Sequence, residues 1–311
     1  MRPHKEPRFR YRLKLDEELE RIEAHKVRRE VPGATDRNLV IATWNLTNFG
    51  AQKRKDGHIE IMAEIIKPFD VVAVQEVADD LEHLESLMAK LGAGWDVTYT
   101  DIAGNQERLA YIFNTRRAVT TSLAAELAMR AYERQRIVIE DVEEVFEGFN
   151  RNPYIVGFKA GKFEFNLVNV HLYWSSFNLR RKEAKALSTW AKGRVGKPYP
   201  PNNDVILLGD FNMPTLEEDD EICEEIMKNG LELPKHKTEV SGTNLTGTMH
   251  YDELAFFPEK TRDDFTGKMG VFDFDKVVFP DLYQENQENF FIYTRYYIAD
   301  HRPLWFEFKR R

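Results

Sequence analysis

The sequence contains very little cysteine and no long apolar run. Because Cys223 is its single cysteine, no disulfide can form within the chain, and nothing requires an oxidising compartment. No apolar segment approaches the roughly 18 residues that indicate a membrane helix, and the first residues lack the apolar core of a secretory signal. We therefore expect a cytoplasmic protein without membrane insertion.

Motifs of several common enzyme classes are also missing. The chain has no GxxxxGK[ST] phosphate loop, no HExxH zinc motif, no paired CxxC motif and no GxSxG serine motif. No internal repeat and no Gly/Ser/Pro-rich linker divides residues 38–311. The sequence therefore predicts one domain over that range.

Charge is distributed unevenly along the chain. The net charge is −8, yet residues 1–37 hold 11 Lys/Arg against 8 Asp/Glu, which leaves −11 for residues 38–311. Since neutralisation of phosphates by Lys/Arg supplies most nonspecific affinity for nucleic acids, the acidic body disfavours that kind of binding. Residues 1–14 alone carry six Lys/Arg and one acid. Such a run can dock on phosphate, but we favour a solvated tail.

Patterns of hydrophobicity divide the chain into short elements. Residues 12–30 have the pattern of a charged helix, so residues 1–37 are predicted to form a charged N-terminal helical extension. We interpret residues 121–150 as an insertion between strands, with either a role in substrate choice or a plain surface helix. Strands are predicted at 38–45, 70–77, 108–114, 154–160, 163–172, 205–212, 251–257, 274–279 and 302–308, and helices at 58–67, 79–91, 177–195 and 216–229.

Polar side chains stand where these predicted strands end. Asp210 and Asn212 follow the apolar run VILLG, and residues two apart in a strand point to the same side. Either residue alone is ordinary for a turn. Similar positions hold Asn45, Glu76, His171, Asp252, Asp300 and His301. Because a sandwich of two sheets gathers its loops at its two ends, we expect these groups to converge.

The residue types in this set suit one kind of chemistry. Mg²⁺ takes oxygen ligands and uses only one or two protein carboxylates, a role that fits Glu76. A bound cation polarises a phosphoryl oxygen. Histidine titrates near neutral pH, so His171 and His301 can move protons to and from the attacking or departing oxygen. The set predicts hydrolysis of a phosphate ester.

The ordered series TWN, QE, H, GDFN, YD and ADH resembles the endonuclease/exonuclease/phosphatase superfamily, whose fold is DNase I-like. The resemblance spans roughly residues 38–309, and GDFN followed by a C-terminal DHRP is its specific part. It implies an α/β fold, a four-layered sandwich in which two packed mixed β-sheets are flanked by helices. It also implies that residues 38–311 form one phosphoesterase domain that uses Mg²⁺ or Mn²⁺.

The resemblance also implies a role for each matched residue at the reacting phosphate. Asn45 would contact the phosphate, while Glu76 and Asp300 would bind the metal. Asp210 and Asn212 would orient the attacking water and stabilise the transition state.

The two histidines and their partners complete the implied catalytic set. His301 would act as a base or electrostatic partner, oriented by Asp252. The segment NQERLAYIFN implies that Glu107 and His171 form a general-acid pair, and FNRNPYIVGF implies that Arg151 contacts phosphate.

Our leading prediction is a metal-dependent nuclease that hydrolyses DNA by in-line attack of water and leaves a 5′-phosphate. The alternative enzyme is a phosphatase or phosphodiesterase for a small-molecule or lipid phosphate ester, which the acidic surface slightly favours. A binding module with an inactive site is a third possibility, against which the complete polar set argues. RNA as substrate, internal or terminal cleavage, one metal or two, and the oligomeric state stay open.

Overall fold

A computed structural model gives the structure of the protein and describes residues 1–195, 204–215, 220–236 and 242–310. The strands are β1 Asn38–Phe49, β2 Val71–Val77, β3 Trp95–Tyr99, β4 Arg108–Asn114, β5 Val119–Glu126, β6 Tyr154–Ala160, β7 Phe163–His171, β8 Val205–Asp210, β9 Asp252–Phe256, β10 Phe265–Val271 and β11 Leu304–Lys309. The α-helices are α1 Leu15–Arg28, α2 Asp56–Ile66, α3 Glu82–Leu91, α4 Ala131–Arg134, α5 Phe177–Val195, α6 Glu221–Met227, α7 Pro258–Thr261, α8 Pro280–Glu285 and α9 Gln287–Tyr297.

The strands form two mixed sheets that pack face to face. The larger sheet has the order β10-β11-β1-β2-β4-β3, and the smaller has the order β5-β6-β7-β8-β9. Helices α1, α2, α3, α8 and α9 cover the outer face of the larger sheet, while α5 and α6 cover the smaller one. The predicted α/β sandwich of four layers is confirmed.

Alternation along the strands explains why the sheets can be covered on both faces. In β1, Leu39 and Ile41 point into the core between the sheets, whereas Val40, Ala42 and Trp44 point toward the helices. Successive side chains of a strand face opposite sides, so a continuous apolar run can fill two cores at once. Burial of this kind is worth roughly 25 cal/mol per Å² of apolar surface, which makes it the main source of stability.

The N-terminal residues pack on the helical layer of the larger sheet. Helix α1 buries Ile22 there, and the Lys26 ammonium lies 2.7 Å from a Glu64 carboxylate oxygen on α2. Residues 1–14 contain no helix. The helical part of the N-terminal extension is therefore limited to α1.

Three sequence interpretations need correction. Residues 274–279 are not a strand, because Phe274–Lys276 form a 3-10 turn and Phe279 adopts a left-handed φ of 53° before Pro280. The segment 121–150 begins as strand β5, and only Ala131–Arg134 of it is helical. Helix α6, predicted at 216–229, begins at Glu221, where the Asp220 side chain caps its N-terminus. Residues 216–219, where the sequence places the start of this helix, lie outside the described residues.

Among the described residues, no helix has both the length and the apolar character that a membrane span requires.

Candidate active site

A cleft of about 910 Å³ opens at the end of the sandwich where β7 and β8 finish. Seven of the predicted site residues line it, namely Glu76, Arg151, His171, Asp210, Asn212, Asp300 and His301. The other three, Asn45, Glu107 and Asp252, are buried behind them and contact lining residues. The structure thus brings together all ten residues that the sequence selected.

Strand register places three of these residues in one row. His171 of β7 pairs with Asp210 of the parallel strand β8, and Asp210 pairs with Asp252 of the antiparallel strand β9. Adjacent strands lie about 4.8 Å apart, so the three side chains are neighbours without any contribution from loops. Rigid strands therefore hold the centre of the site.

Backbone conformation explains why glycine begins the GDFN motif and asparagine ends it. Gly209 has a φ of 141°, and a Cβ there would lie 2.1 Å from the Val170 carbonyl oxygen, so only glycine fits. Asn212 adopts a left-handed φ of 52°, which asparagine tolerates better than most residues. Its backbone N–H donates to Asp210 Oδ1 at 2.8 Å. The turn therefore occupies Oδ1 and leaves Oδ2 directed at the cleft.

Asp210 Oδ2 is the point at which the site converges. The Asn45 side-chain amide donates to it at 3.0 Å. The Nε2 atoms of His171 and His301 lie 3.5 and 3.8 Å from the same oxygen. Residues from both sheets therefore surround one carboxylate oxygen.

His171 is held by a buried ionic pair. Its Nδ1 lies 2.5 Å from Glu107 Oε1, and the same oxygen lies 2.6 Å from Arg151 Nε. Burial acts to raise the pKa of Glu107, but the charges of His171 and Arg151 outweigh it and hold that pKa below its ordinary value. Burial and Arg151 act to lower the pKa of His171, yet Glu107 and Asp210 raise it overall. His171 is therefore suited to donate a proton from Nε2.

His301 has a carboxylate partner of the same kind. Its Nδ1 lies 2.7 Å from Asp252 Oδ2. Burial acts to lower the pKa of His301, but Asp252 and Asp210 together raise it well above 6.5. Burial raises the pKa of Asp252 to about 6, although the charge of His301 opposes that shift. A carboxylate thus fixes the orientation of each of the two histidines.

The irregular end of β1 positions Glu76. Thr47 and Asn48 both have left-handed φ values, 51° and 50°, and the buried Arg54 donates to the Thr47 carbonyl oxygen at 2.6 Å. This bend directs the Asn48 N–H to Glu76 Oε2 at 2.7 Å. Glu76 itself has a φ of 60°, a strained conformation of the kind that is found at functional sites.

The residues around Glu76 fit a hard divalent cation. Burial and the nearby charges of Glu107 and Asp300 raise the pKa of Glu76, although His171 and the Asn45 side chain act to lower it. A bound cation would offset the repulsion between these carboxylates, and Glu76 and Asp300 both offer oxygen ligands. The described residues contain no group of three or more His, Cys, Asp or Glu that could hold a metal. Two carboxylates are nevertheless a sufficient protein contribution for Mg²⁺.

Asp300 has contacts that the sequence did not reveal. Thr47 Oγ1 donates to its Oδ1 at 2.5 Å, and His4 Nε2 lies 3.3 Å from its Oδ2. His4 and Arg2 line the cleft, although residues 1–14 had been interpreted as a solvated tail. No local signal identifies them, because His4 precedes Asp300 by 296 positions in the sequence.

Glu183 is a second residue that the sequence did not reveal. Its carboxylate on α5 is 3% exposed and accepts from the Asn150 N–H at 2.6 Å and the Tyr173 N–H at 2.7 Å. Asn150 and Tyr173 both line the cleft, Asn150 directly before Arg151 and Tyr173 two residues after His171. One buried carboxylate therefore fixes two walls of the cleft.

A polar layer joins the sheets directly below the cleft. The Asn169 amide donates to the carbonyl oxygens of Val74 and Ala110, each at 3.0 Å, and its Oδ1 accepts from Gln75 Nε2 at 2.6 Å. Asn169 lies two residues before His171 on the same face of β7. These bonds fix the distance between the strands that carry the site.

Comparisons with known proteins show the fold. No protein-family model and no curated protein matches this sequence. An endonuclease/exonuclease/phosphatase family protein from Bacteroides thetaiotaomicron is 16% identical, with a TM-score of 0.55 over 88% of this chain and 98% of that one. The human Nocturnin catalytic domain with bound sulfate is 14% identical, with a TM-score of 0.57 over 89% and 96%. D. rerio TDP2 complexed with single strand DNA product is 13% identical, with a TM-score of 0.58 over 87% and 98%. The chain therefore has the DNase I-like fold.

Proposed function

We propose that this protein is a divalent-metal-dependent phosphodiesterase that hydrolyses DNA by in-line attack of water. One observation carries the proposal: two histidines, each oriented by a buried carboxylate, face a single oxygen, Asp210 Oδ2, at 3.5 and 3.8 Å. Such a pair can take a proton from the attacking water and give one to the departing oxygen. Hydrolysis of a phosphodiester uses both of these proton transfers.

Each polar residue has a role in that reaction. The attacking water lies near His301 and Asp210, and Asn212 helps to orient it. Asn45 and Arg151 contact the phosphate.

Proton supply is the role of the second histidine. His171 protonates the leaving oxygen, and Glu107 keeps it charged and correctly oriented, while Asp252 orients His301.

Glu76 and Asp300 would hold Mg²⁺ or Mn²⁺. The bound cation supplies polarisation of the phosphoryl oxygen and offsets the charge that develops there. Strands and buried partners place the surrounding donors in advance, which is how enzymes stabilise such charge.

The walls of the cleft favour a nucleotide substrate. The Trp174 side chain is 63% exposed and lines the cleft with Tyr173 and Tyr251. Aromatic rings of this kind stack on nucleic-acid bases, at about 1–3 kcal/mol per base. D. rerio TDP2, one of the proteins with a similar fold, was captured with a single-stranded DNA product.

The test is hydrolysis of a panel of phosphate esters with Mg²⁺ and with EDTA. The panel contains duplex DNA, single-stranded DNA, RNA, a phosphoinositide and sphingomyelin. We expect DNA cleavage that EDTA abolishes, and a loss of about 10²-fold or more in turnover for His301→Ala and Asp210→Ala. Asp36→Ala is the control, because Asp36 is exposed just before β1, at the other end of the sandwich. Wild-type turnover by either site variant, or cleavage of a lipid ester alone, would contradict the proposal.

A further inference from the structure

Five exposed cations precede Leu13 and run up to the cleft. We call this set the basic track, and its members are Arg2, Lys5, Arg8, Arg10 and Arg12. None of the five forms an ion pair with a carboxylate in the described ranges, whereas the neighbouring Lys14 lies 3.0 Å from an Asp281 oxygen. Glu6 is the one acid within this segment, so the track leaves an excess of positive charge on a protein whose net charge is −8.

Anchoring of the intervening residues turns the cations outward. Phe9 and Tyr11 pack on Tyr293 of α9, with ring centroids 6.1 and 5.2 Å apart, and Leu13 packs in the same cluster. Alternate residues of an extended chain face opposite sides. Inward packing of Phe9, Tyr11 and Leu13 thus holds Arg8, Arg10 and Arg12 toward solvent.

The other end of the segment is fixed at the candidate active site. The His4 N–H donates to Gln52 Oε1 at 2.8 Å, and the Gln52 amide donates to the Tyr296 carbonyl oxygen at 2.9 Å. Gln52 is 1% exposed, so this attachment is part of the folded core. Arg2 and His4 consequently form part of the cleft wall, and Arg8 to Arg12 continue away from it along the surface.

We propose that the basic track binds the backbone phosphates of a single-stranded nucleic acid whose scissile bond lies in the cleft. This inference rests on the proposed function and adds where the rest of the strand runs. A single row of cations suits one phosphodiester strand, and the exposed ring of Trp174 offers a stacking surface for a base at the cleft. Because residues 38–311 carry a net charge of −11, the track supplies positive charge that the body of the protein lacks in sum.

An anionic membrane surface is a weaker match to the same charges. Stable membrane binding needs buried apolar area as well as charge. The apolar side chains of this segment already pack against α9, and no large apolar residue of positions 1–14 is among the exposed ones. We therefore treat membrane binding as an outcome that would count against the track.

The test is the salt dependence of oligonucleotide binding in EDTA, where no turnover occurs. A fluorescent oligothymidine is titrated with the wild-type protein and with the triple variant Arg8→Gln, Arg10→Gln, Arg12→Gln. Each lost phosphate contact reduces the slope of log Kobs against log salt by about 0.7, so we expect a reduction of about 2. The anchoring side chains are unchanged in this variant, which preserves the path of the segment.

A variant with the same charge change controls for net charge. Lys159, Lys162 and Lys260 are exposed, and all lie near the strand ends opposite to those that carry His171 and Asp252. Their triple substitution by glutamine should leave the slope unchanged. Hydrolysis of bis(p-nitrophenyl) phosphate, which is too small to extend from the cleft to Arg8, Arg10 and Arg12, should have the same kcat/KM in both triple variants and the wild type.

Three results would overturn the proposal that the track binds phosphates. They are no binding of the oligonucleotide by the wild type, an unchanged salt slope in the arginine variant, or an equal change of the salt slope in the lysine variant. Binding to phosphatidylserine vesicles in preference to the oligonucleotide would also overturn it. Failure of the proposed function is distinguishable, because it appears in the hydrolysis panel as a lack of DNA cleavage, while binding in EDTA still tests the track.

Discussion

Stability should fall with rising pH because of Glu183. Burial raises the pKa of this carboxyl from 4.5 to about 7, even though two backbone N–H groups act to lower it. Between those values the folded protein binds a proton that the unfolded chain does not. The stabilisation is therefore fully present below the unfolded pKa and is lost as the pH rises through the folded pKa.

The magnitude follows from the size of that shift. A difference of one pKa unit corresponds to about 1.36 kcal/mol, so raising the pH from about 5 to about 8 should remove roughly 2–3 kcal/mol. Glutamine at position 183 carries no titrating group. The free energy of unfolding of the wild type minus that of Glu183→Gln should decline by this amount over the same range.

Urea unfolding, followed by tryptophan fluorescence at a series of pH values, measures this difference directly. Taking the difference between two variants cancels the other buried acids, of which Glu253 is one. Glu259→Gln is the matched control, because Glu259 is exposed at the start of α7, and its difference from the wild type should be flat. A Glu183 difference that stays constant, or grows with pH, would refute the claim that burial decides the charge of this carboxyl.

Two further predictions concern buried polar contacts. Asn169→Ala removes three hydrogen bonds between the sheets and leaves their buried partners without a bond. The free energy of unfolding, measured by urea denaturation, should therefore fall by about 2–4 kcal/mol. A loss below about 0.5 kcal/mol would contradict the structural role. Asp275→Asn breaks the buried pair with Arg302, whose Nε and guanidinium nitrogen lie 2.6 and 2.7 Å from the carboxylate, and should cost about 3–5 kcal/mol. Calorimetry would show that loss as a fall in Tm of several degrees, and an unchanged Tm would exclude a structural role for the pair.

Strands with continuous apolar runs could be predicted from the sequence, because such runs have few alternatives to the interior. Strand β10 was missed, since its sequence FTGKMGV contains two glycines and a lysine and has no clear alternation. Residues Val277 to Phe279 were assigned to a strand for their apolar character. They pack against helices instead, because tertiary contacts rather than local sequence determine the conformation of this segment.

Much of the candidate site was predictable because the strand ends of a sandwich converge, so polar residues at those ends come close together. Register then explains why His171, Asp210 and Asp252 are neighbours. The contribution of His4 was not predictable, since it depends on how an extended segment crosses the helical layer. Glu183 was equally hidden, because an acid on a charged helix normally faces water.

The path of the first residues has a practical consequence for handling the protein. An affinity tag fused ahead of Arg2 would stand at the mouth of the cleft, where it could block substrate or contribute charges of its own. His301 lies beside the cleft, and strand β11, which follows it, ends at Lys309, opposite Asn38, at the far side of the sandwich. Purification handles and fluorescent labels therefore belong after Lys309, where they cannot influence the measurements of binding and turnover.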